Sequence, residues 1–481
     1  MRESEVLVHS SWIDGKDVRG DGTTYPLINP RTGVEYAKVS AASASTVQLA
    51  LESARRSFAG WKSLDASSRS SALRELAQLI RADRESLGAA LSLEVGKSPT
   101  AAVDEVMNAA SLLDYFAEEN LRRSGEMPLM GHRRERVLVM REPVGVVVAI
   151  TPFNYPLSTL ACKIAPALAV GCTVVAKPDE HTPVSTLTVA KMASCAGIPP
   201  GVFNVVTGTG VGAGRMLVDH HIPGLITFTG STEVGKEIMA VSSRWVRKVV
   251  LELGGHCPAI VCGDADWGEV LPQILNQSMK NSGQYCYRIS RILVHKEIYP
   301  SFLKAFVAEA SKLGPGCSDE PEREIGPLNN VQVLSRLRAQ VQQAVDEGAR
   351  VELGGNSVAM PSGGFFYPPT VLTGISGDMS ILKDEVFGPV TLIQPFSTME
   401  EAVESANGTR FGLAAYLFTR DLAMALEWAD RLEAGSVWIN RIHQAYPQVP
   451  FGGMKESGLG REKSRFGMEE YTELKAVYLS Y

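Results

Sequence analysis

Residues 144–177 read VGVVVAITPFNYPLSTLACKIAPALAVGCTVVAK, and this stretch decides the expected fold. An apolar run at 144–150 is followed by a turn, an apolar segment of helical length and a second apolar run at 172–177. Continuous apolar strands that alternate with helices are typical of a parallel sheet covered on both faces. The same rhythm continues to about residue 229. We therefore expect an α/β protein with a Rossmann-like sheet, which binds ligands where its strands end.

Helical patterns precede this sheet, and a second α/β run follows it. Apolar residues recur at helical spacing in three stretches, 43–64, 69–95 and 100–123. The second run occupies roughly 254–452 and again alternates strands with helices. A chain of 481 residues is long enough for two or three domains. We expect two α/β domains with a cleft between them.

Two segments with alternating polarity, near 136–140 and at 471–481, predict strands that lie outside both α/β runs. A strand without a partner in its own domain is available for pairing with another chain. These two segments are expected to form a sheet that bridges subunits.

Composition argues against several classes of function. The chain has 47 Lys and Arg against 53 Asp and Glu, so it offers no broad basic surface to nucleic acid. The start lacks a secretory pattern, and no apolar stretch reaches the roughly 18 residues of a membrane span. Seven scattered cysteines without CxxC spacing predict neither a disulfide framework nor a metal site. We expect a cytoplasmic protein that binds neither nucleic acid nor membrane.

Three polar residues stand out against this apolar background. Cys286 follows the glycine-containing loop 281–285, where a thiol is accessible. Glu252 lies in an apolar strand that ends in two glycines, and burial raises the pKa of such a carboxyl toward the range of a general base. Asn154 follows the strand at 144–150 directly, so its amide can donate to an oxyanion. Taken singly, each pattern also fits a buried thiol, a structural ion pair or a turn.

Further motifs suggest a cofactor. The sequence FTGSTEVG at 228–235 predicts a strand, a glycine turn and a helix start, which presents backbone N–H groups to a phosphate. The loop at 208–214 is also rich in glycine, although it does not fit the GxGxxG fingerprint in register. At the end of another strand, Lys177 and Glu180 offer a cation and a carboxylate for ribose hydroxyls.

In order and spacing, these motifs resemble the aldehyde dehydrogenase superfamily over essentially the whole chain. The motifs that carry the resemblance are TPFNYP (151–156), AKPDE (176–180), FTGSTEVG (228–235), LELGG (251–255), GQYC (283–286), EVFGPV (385–390) and PFGGMKESGLGRE (450–462). The resemblance implies a homodimer or homotetramer of three-part subunits. Its expected parts are an NAD-binding domain at 1–125 and 144–253, a catalytic domain at 254–460 and a bridging element at 126–143 and 461–481.

The resemblance also implies a mechanism. Cys286 would attack the carbonyl carbon of an aldehyde, and the Asn154 amide with the Cys286 N–H would stabilise the oxyanion. Hydride would then leave for the nicotinamide, and Glu252 would activate water to hydrolyse the thioester. Because relatives that transfer the acyl group to coenzyme A lack this carboxylate, hydrolysis to the free acid is favoured.

The same resemblance implies the cofactor surface. Glu385 and Phe387 would hold the nicotinamide ribose and ring, and Lys177 and Glu180 the adenosine ribose. A carboxylate at the 2′-hydroxyl would repel a 2′-phosphate, so NAD is the expected cofactor and NADP the alternative. The remaining cofactor contacts are expected from Ile150, Thr151, Phe153, Gly210, Gly214, Thr229, Gly230, Ser231 and Val234.

The substrate mouth departs from the family pattern, because Tyr287 and Arg288 stand where small residues are usual. By register, the mouth is expected to contain Tyr155, Thr159, Cys162, Lys280, Tyr285, Tyr287, His443, Ala445 and Phe451, with Arg441 nearby. Its cations predict an aldehyde with a hydroxyl or anionic tail, although such side chains also fit simple solvation. Succinate semialdehyde is a less natural expectation, because relatives specific for it carry an arginine at the place of Cys162.

Other classes of function stay open at this point. A hydroxyaldehyde, another semialdehyde or an aromatic aldehyde each fits the mouth. A non-catalytic dinucleotide-binding protein can share the fold, and an acyl-transferring dehydrogenase would depend on coenzyme A. A zinc alcohol dehydrogenase is disfavoured, because clustered Cys and His ligands are missing from the sequence.

Overall fold

A computed structural model of the chain describes residues 7–131, 134–315, 324–356, 360–361 and 363–481. Its first large sheet has eight strands, and the five in the middle are parallel, as the sequence predicts. In spatial order the strands are Gly458–Leu459, Lys248–Glu252, Leu225–Thr229, Val146–Ile150, Thr173–Lys177, Phe203–Val205, Ser11–Ile13 and Lys16–Val18.

The order of these strands creates a crevice. From Val146–Ile150 the chain adds Thr173–Lys177 and Phe203–Val205 on one side, and it then returns to add Leu225–Thr229 on the other. Strand order therefore reverses next to Val146–Ile150, and ligands bind beyond the carboxyl ends of strands at such a point. Both faces of the sheet are covered by apolar cores, which explains why its strands are apolar throughout.

The second large sheet has seven strands and is parallel except at one edge. In spatial order they are Arg350–Leu353, Thr370–Thr373, Val390–Phe396, Ile289–His295, Cys257–Val261, Ala414–Phe418 and Ser436–Ile439. Cys286 lies three residues before Ile289–His295, so this second sheet positions the thiol next to the crevice of the first. Smaller sheets pair Val8–His9 and Thr24–Ile28 with Glu35–Ser40, Gly314–Pro315 with Glu324–Ile325, and Phe411–Gly412 with Met454–Lys455.

Fourteen α-helices in the described part of the chain cover the sheets. They are α1 (Ala44–Ser63), α2 (Ala66–Ala82), α3 (Arg84–Val95), α4 (Pro99–Asn120), α5 (Pro156–Val170), α6 (Val184–Cys195), α7 (Arg215–Val218), α8 (Thr232–Ser242), α9 (Trp267–Met279), α10 (Tyr299–Ala310), α11 (Val331–Asp346), α12 (Met399–Asn407), α13 (Leu422–Arg431) and α14 (Ser464–Glu469). None of the described helices is long and apolar enough to span a bilayer.

The two segments outside the large sheets pair with each other. Thr472–Ser480 runs antiparallel to Glu135–Pro143 over nine residue pairs. Their association is as expected from the sequence, and whether this two-stranded sheet bridges subunits stays a prediction.

Two local features differ from the sequence-based expectations. The single helix expected at 69–95 is two helices, because the chain leaves helical geometry at Asp83, with φ −104° and ψ 23°. Gly458–Leu459 falls within the expected catalytic range, yet it pairs with Leu251 and Glu252 in the first sheet. The chain therefore returns to the first sheet at Gly458–Leu459, after Met454–Lys455 has paired with Phe411–Gly412.

Candidate active site

The predicted catalytic groups meet in one cavity. Cys286, Glu252 and Asn154 all line a space of about 630 Å³. Cys286 and Asn154 also line an adjoining space of about 190 Å³, together with Phe153, which the sequence assigned to the cofactor surface. The thiol therefore lies where the two cavities meet.

A sharp backbone turn just before Cys286 sets the position of its thiol. Asn281, Ser282 and Gly283 all have positive φ, at 51°, 56° and 69°, so the chain turns sharply after α9. At Gly283 an added Cβ would lie 2.1 Å from the carbonyl oxygen of Gly388. Only glycine fits there, and this contact presses the nucleophile loop against the EVFGPV segment.

The amide of Asn154 is fixed close to this loop. Its Nδ2 donates to the Gln284 carbonyl at 2.9 Å, and its Oδ1 accepts from the Tyr155 N–H at 3.1 Å. An amide nitrogen carries two hydrogens, so one N–H is left for a ligand. Asn154 and Cys286 line the same cavity, so this spare donor is available to an oxyanion that forms at the sulfur.

Glu252 ends its strand as a buried acid without a partner. Neither carboxyl oxygen has a hydrogen-bond partner among the described residues. Burial, followed by the charge of Glu462, raises the pKa of Glu252 well above its usual range. Glu462 is itself held by Lys163, whose Nζ lies 2.5 Å from Oε1. A carboxylate whose pKa is raised binds a proton more tightly than a solvated one, which is the property that a general base needs.

The Cys286 thiol is held in its neutral form. Burial raises the pKa of Cys286 well above its usual value, and the charges of Glu385 and Glu252 act in the same direction. The reactive thiolate therefore forms only when a neighbouring base removes the proton, and Glu252 lines the same cavity.

The smaller cavity fits the nicotinamide end of a dinucleotide. Phe153 and Phe387 make an edge-to-face contact with ring centroids 5.8 Å apart, and Glu385 accepts from the Gly255 N–H at 3.0 Å. Burial raises the pKa of Glu385 to about 7. The hydroxyl of Thr229 lacks a partner among the described residues, as does that of Thr151 in the preceding strand-end turn. Aromatic walls with unpartnered polar groups suit a ring and a ribose.

The residues expected to contact adenosine and phosphate also lie close to one another. Lys177 Nζ lies 3.3 Å from Glu180 Oε2 at the end of the strand Thr173–Lys177. The Gly210–Gly214 turn packs beside this lysine, since a Cβ on Gly214 would lie 3.9 Å from its Cδ. Ser231 caps α8 by accepting from the Val234 N–H, so this helix start opens at the crevice.

Most of the expected substrate residues line the larger cavity. These are Tyr155, Thr159, Cys162, Lys280, Tyr285, Tyr287, Ala445 and Phe451. Two expected members are absent from its wall. Arg441 is exposed and donates to Gln444 and to the hydroxyl of Tyr446, which holds it outside the cavity. His443 packs behind Tyr287, with ring centroids 4.0 Å apart.

Arg288 also has a role that its position in the sequence did not indicate. Its guanidinium is buried and donates to the carbonyls of Ser278 at 3.2 Å and Val386 at 2.9 Å, and also to that of Val390. It joins the nucleophile loop to the EVFGPV segment and lies outside the residues that line the mouth.

Several charged residues of the cavity were not predicted from the sequence. Lys97 and Glu105 form a buried ion pair, and the Lys97 ammonium lies 3.4 Å from the ring centroid of Tyr155. Arg31 binds Glu324 at 2.6 Å, and Lys463 lines the wall beside Phe451. The first four residues come from segments far from the recognised motifs, so spacing gave no signal for them. Lys463 directly follows the last motif.

The crevice, the thiol, the amide and the buried acid define a class: dinucleotide-dependent oxidoreductases that work through a cysteine. A family model described as "Aldehyde dehydrogenase family" matches residues 18–477. The chain therefore belongs to the aldehyde dehydrogenase family.

Individual relatives agree with this membership. Over 476 residues the chain is 42% identical to the mitochondrial succinate-semialdehyde dehydrogenase of Oryza sativa subsp. japonica, covering 98% of this chain and 89% of that protein. It is 38% identical to the 3-sulfolactaldehyde dehydrogenase of Pseudomonas putida, covering 100% and 98%. The NAD+ complex of an aldehyde dehydrogenase from Bacillus cereus superposes with a TM-score of 0.95 at 36% identity, covering 99% and 97%.

Proposed function

We propose that the protein oxidises an aldehyde with an anionic tail to the carboxylic acid, with Cys286 as nucleophile and Glu252 as base. One observation carries the proposal: the thiol, the Asn154 amide and the unpartnered acid line one cavity that opens onto a nicotinamide-sized space. The alternative of a non-catalytic relative loses support, because all three groups are present together.

The chain's own groups support each step. The Cys286 sulfur bonds to the carbonyl carbon while its proton passes to Glu252 or water, and the Asn154 amide binds the oxygen that becomes negative. When bound, NAD supplies the acceptor for the hydride that leaves this carbon. The resulting thioester is attacked by water, Glu252 takes the proton, and the carbon–sulfur bond breaks to release the acid and the thiol.

NAD is the proposed cofactor, and NADP is the alternative. Glu180 lies beside Lys177 where the adenosine ribose is expected, and its carboxylate would oppose a 2′-phosphate. The relatives include an NADP-dependent succinate-semialdehyde dehydrogenase of Escherichia coli, at 36% identity. The choice therefore depends on local charge rather than on the fold.

An anionic tail fits the charges of the cavity. Lys280 lines the wall, and the described residues give it no ion-pair partner. Relatives at 35–42% identity are named for succinate semialdehyde, glutarate semialdehyde and 3-sulfolactaldehyde, all of which end in an anion. A betaine aldehyde dehydrogenase of Bacillus subtilis is 40% identical, so a cationic tail is the competing candidate. An unpaired ammonium on the wall favours the anion.

Two further proposals concern assembly and location. The Glu135–Pro143 and Thr472–Ser480 sheet is proposed to bridge subunits in a homodimer or homotetramer. A cytoplasmic location stays a prediction from the sequence.

The test is a substrate and cofactor panel with the wild-type protein and Cys286→Ala. The wild type should reduce NAD with anionic aldehydes and need no coenzyme A, whereas Cys286→Ala should lose turnover and still bind NAD. Cys195→Ala changes an exposed cysteine and serves as the control. Retained turnover in Cys286→Ala, or turnover that requires coenzyme A, would contradict the proposal.

A further inference from the structure

Lys463 has a backbone conformation that is rare for a residue with a side chain. Its φ is 59° and its ψ is 174°, a region that is populated almost entirely by glycine. The neighbouring hydrogen bonds hold the chain there. The Glu462 N–H donates to the Phe451 carbonyl at 2.7 Å, and the Ser464 N–H donates to that of Pro447 at 2.7 Å. The lysine side chain is therefore kept at a position where glycine would be less strained.

The side chain of Lys463 lines the substrate cavity. Its Nζ lies 5.0 Å from the ring centroid of Phe451, which also lines the cavity. The Lys463 ammonium makes no ion pair or hydrogen bond with a described residue. Lys455, the other lysine with a positive φ, differs because it forms an ion pair with Glu433 outside the cavity. Strain that persists at a ligand cavity is more often functional than accidental.

Lys463 and Lys280 have no ion-pair partner among the described residues that line the cavity. Most carboxylates on the wall already have a cation of their own. The pairs are Glu105 with Lys97, Glu324 with Arg31, Glu309 with Lys312 and Glu462 with Lys163. Of the other two, Asp104 is exposed and Glu252 is a buried acid with a raised pKa.

The two unpaired lysines act on a common region. Burial, followed by the positive charges of Lys463 and Lys280, lowers the pKa of His443 to about 3. His443 packs on Tyr287, next to the nucleophile. Burial raises the pKa of Cys162 to about 12, and Lys463 opposes that rise. Lys463, Lys280 and Cys162 line the same cavity, so both ammonium groups bring positive charge to it.

We infer that Lys463 is a specificity-determining residue that binds the carboxylate or sulfonate at the far end of the aldehyde. This inference rests on the proposed function and adds the group that selects the tail. The strained backbone is retained because it positions the ammonium over Phe451, where a mobile surface lysine would be less effective.

The test compares 4-oxobutanoate with its uncharged methyl ester, using NAD and the full-length enzyme. In Lys463→Met, kcat/KM for the acid should fall by roughly 10–100-fold, as expected when a charged hydrogen bond is lost, and that for the ester by less than about threefold. Lys463→Arg should keep most of the preference. Lys455→Met, outside the cavity, is the matched control and should leave the ratio unchanged.

Lys463→Gly separates selectivity from folding. It should lose the preference for the acid as Lys463→Met does, yet unfold at a temperature no lower than the wild type, because the strain is relieved. An unchanged ratio in both variants, or an equal loss for acid and ester, would overturn the inference. A wild-type enzyme that prefers the ester would overturn the proposed anionic tail itself, so the two failures are distinguishable.

Discussion

Asn154 and Gln284 are joined by a hydrogen bond of 2.9 Å from the amide Nδ2 to the backbone carbonyl. Asn154 follows a strand of the first sheet, and Gln284 lies two residues before the nucleophile near the second. This bond fixes the proposed oxyanion donor relative to the thiol across the boundary between the two sheets. Donors that are preorganised in this way usually make the largest electrostatic contribution to such reactions.

Asn154→Ala should lower kcat by about 10²–10³-fold, the usual effect of losing one oxyanion donor. Asn281→Ala is the control, because Asn281 Nδ2 also donates to the Gln284 carbonyl, at 3.2 Å, without having the proposed role. Steady-state kinetics with a common aldehyde would measure both. Equal losses in the two variants would assign Asn154 to holding the loop alone.

Glu252→Gln should slow hydrolysis of the thioester by about 10²–10⁴-fold, since a general base contributes that much. Acyl transfer to Cys286 should still occur once, so intact-protein mass spectrometry should detect the enzyme with an added acyl group. Glu404→Gln changes an exposed acid on α12 and should have no effect. If the variant turns over normally, another group is the base.

The pH dependence of stability should also change in Glu252→Gln. The pKa of Glu252 is raised in the folded state, so its stabilising contribution is complete below the unfolded value near 4.5 and is lost as pH rises through the raised value. Glutamine does not ionise. When thermal unfolding is measured from pH 4 to 9, the unfolding temperature of the variant should rise relative to that of the wild type as pH increases. A constant difference would mean that burial leaves the carboxyl unperturbed.

Glu180→Gln should increase the ratio of kcat/KM with NADP to that with NAD by roughly 5–10-fold. The change removes a repulsion of about 1 kcal/mol or more from a 2′-phosphate, and Lys177 stays in place. The comparison should be repeated at high salt, which screens the effect because Glu180 is partly exposed. No change in the ratio would place the adenosine ribose elsewhere.

Deletion of residues 472–481 should lower the oligomer mass measured by light scattering. Tyr478 and Leu474 are 76% and 64% exposed on this strand, although both are large and apolar, which suits a surface covered by another subunit. Tyr471 is buried and should be retained. The single change Lys475→Gln is the control. An unchanged mass for the deletion would rule out the bridging sheet.

Much of the first sheet was predictable, because its strands are apolar throughout and alternate with helices. The break between α2 and α3 was not, since a polar residue such as Asp83 is common on helix surfaces as well as at their ends. The return of Gly458–Leu459 to the first sheet was also missed, because two residues carry no periodic signal.

The three proposed catalytic residues were predicted from motifs, whereas most of the charged wall was not. Cys162 on α5 contributes one side chain to the cavity wall, so its identity alone does not decide whether succinate semialdehyde binds. The charged residues that line a cavity can come from any segment that borders it, and Lys463 lies near the C-terminal end of the chain. Arg441 and His443 were expected at the mouth because of their register, but other contacts hold them elsewhere. Arg441 donates to its loop neighbours Gln444 and Tyr446, and His443 packs on Tyr287.

The guanidinium of Arg288 has a consequence for motion. It holds carbonyls on both sides of the sequence that contains Phe387, and it is anchored two residues beyond the thiol. A shift of either segment must therefore carry the other with it. If the segment that contains Phe387 moves when a dinucleotide binds, the Cys286 sulfur should move with it. The position of the nucleophile and the binding of the coenzyme would then be mechanically coupled.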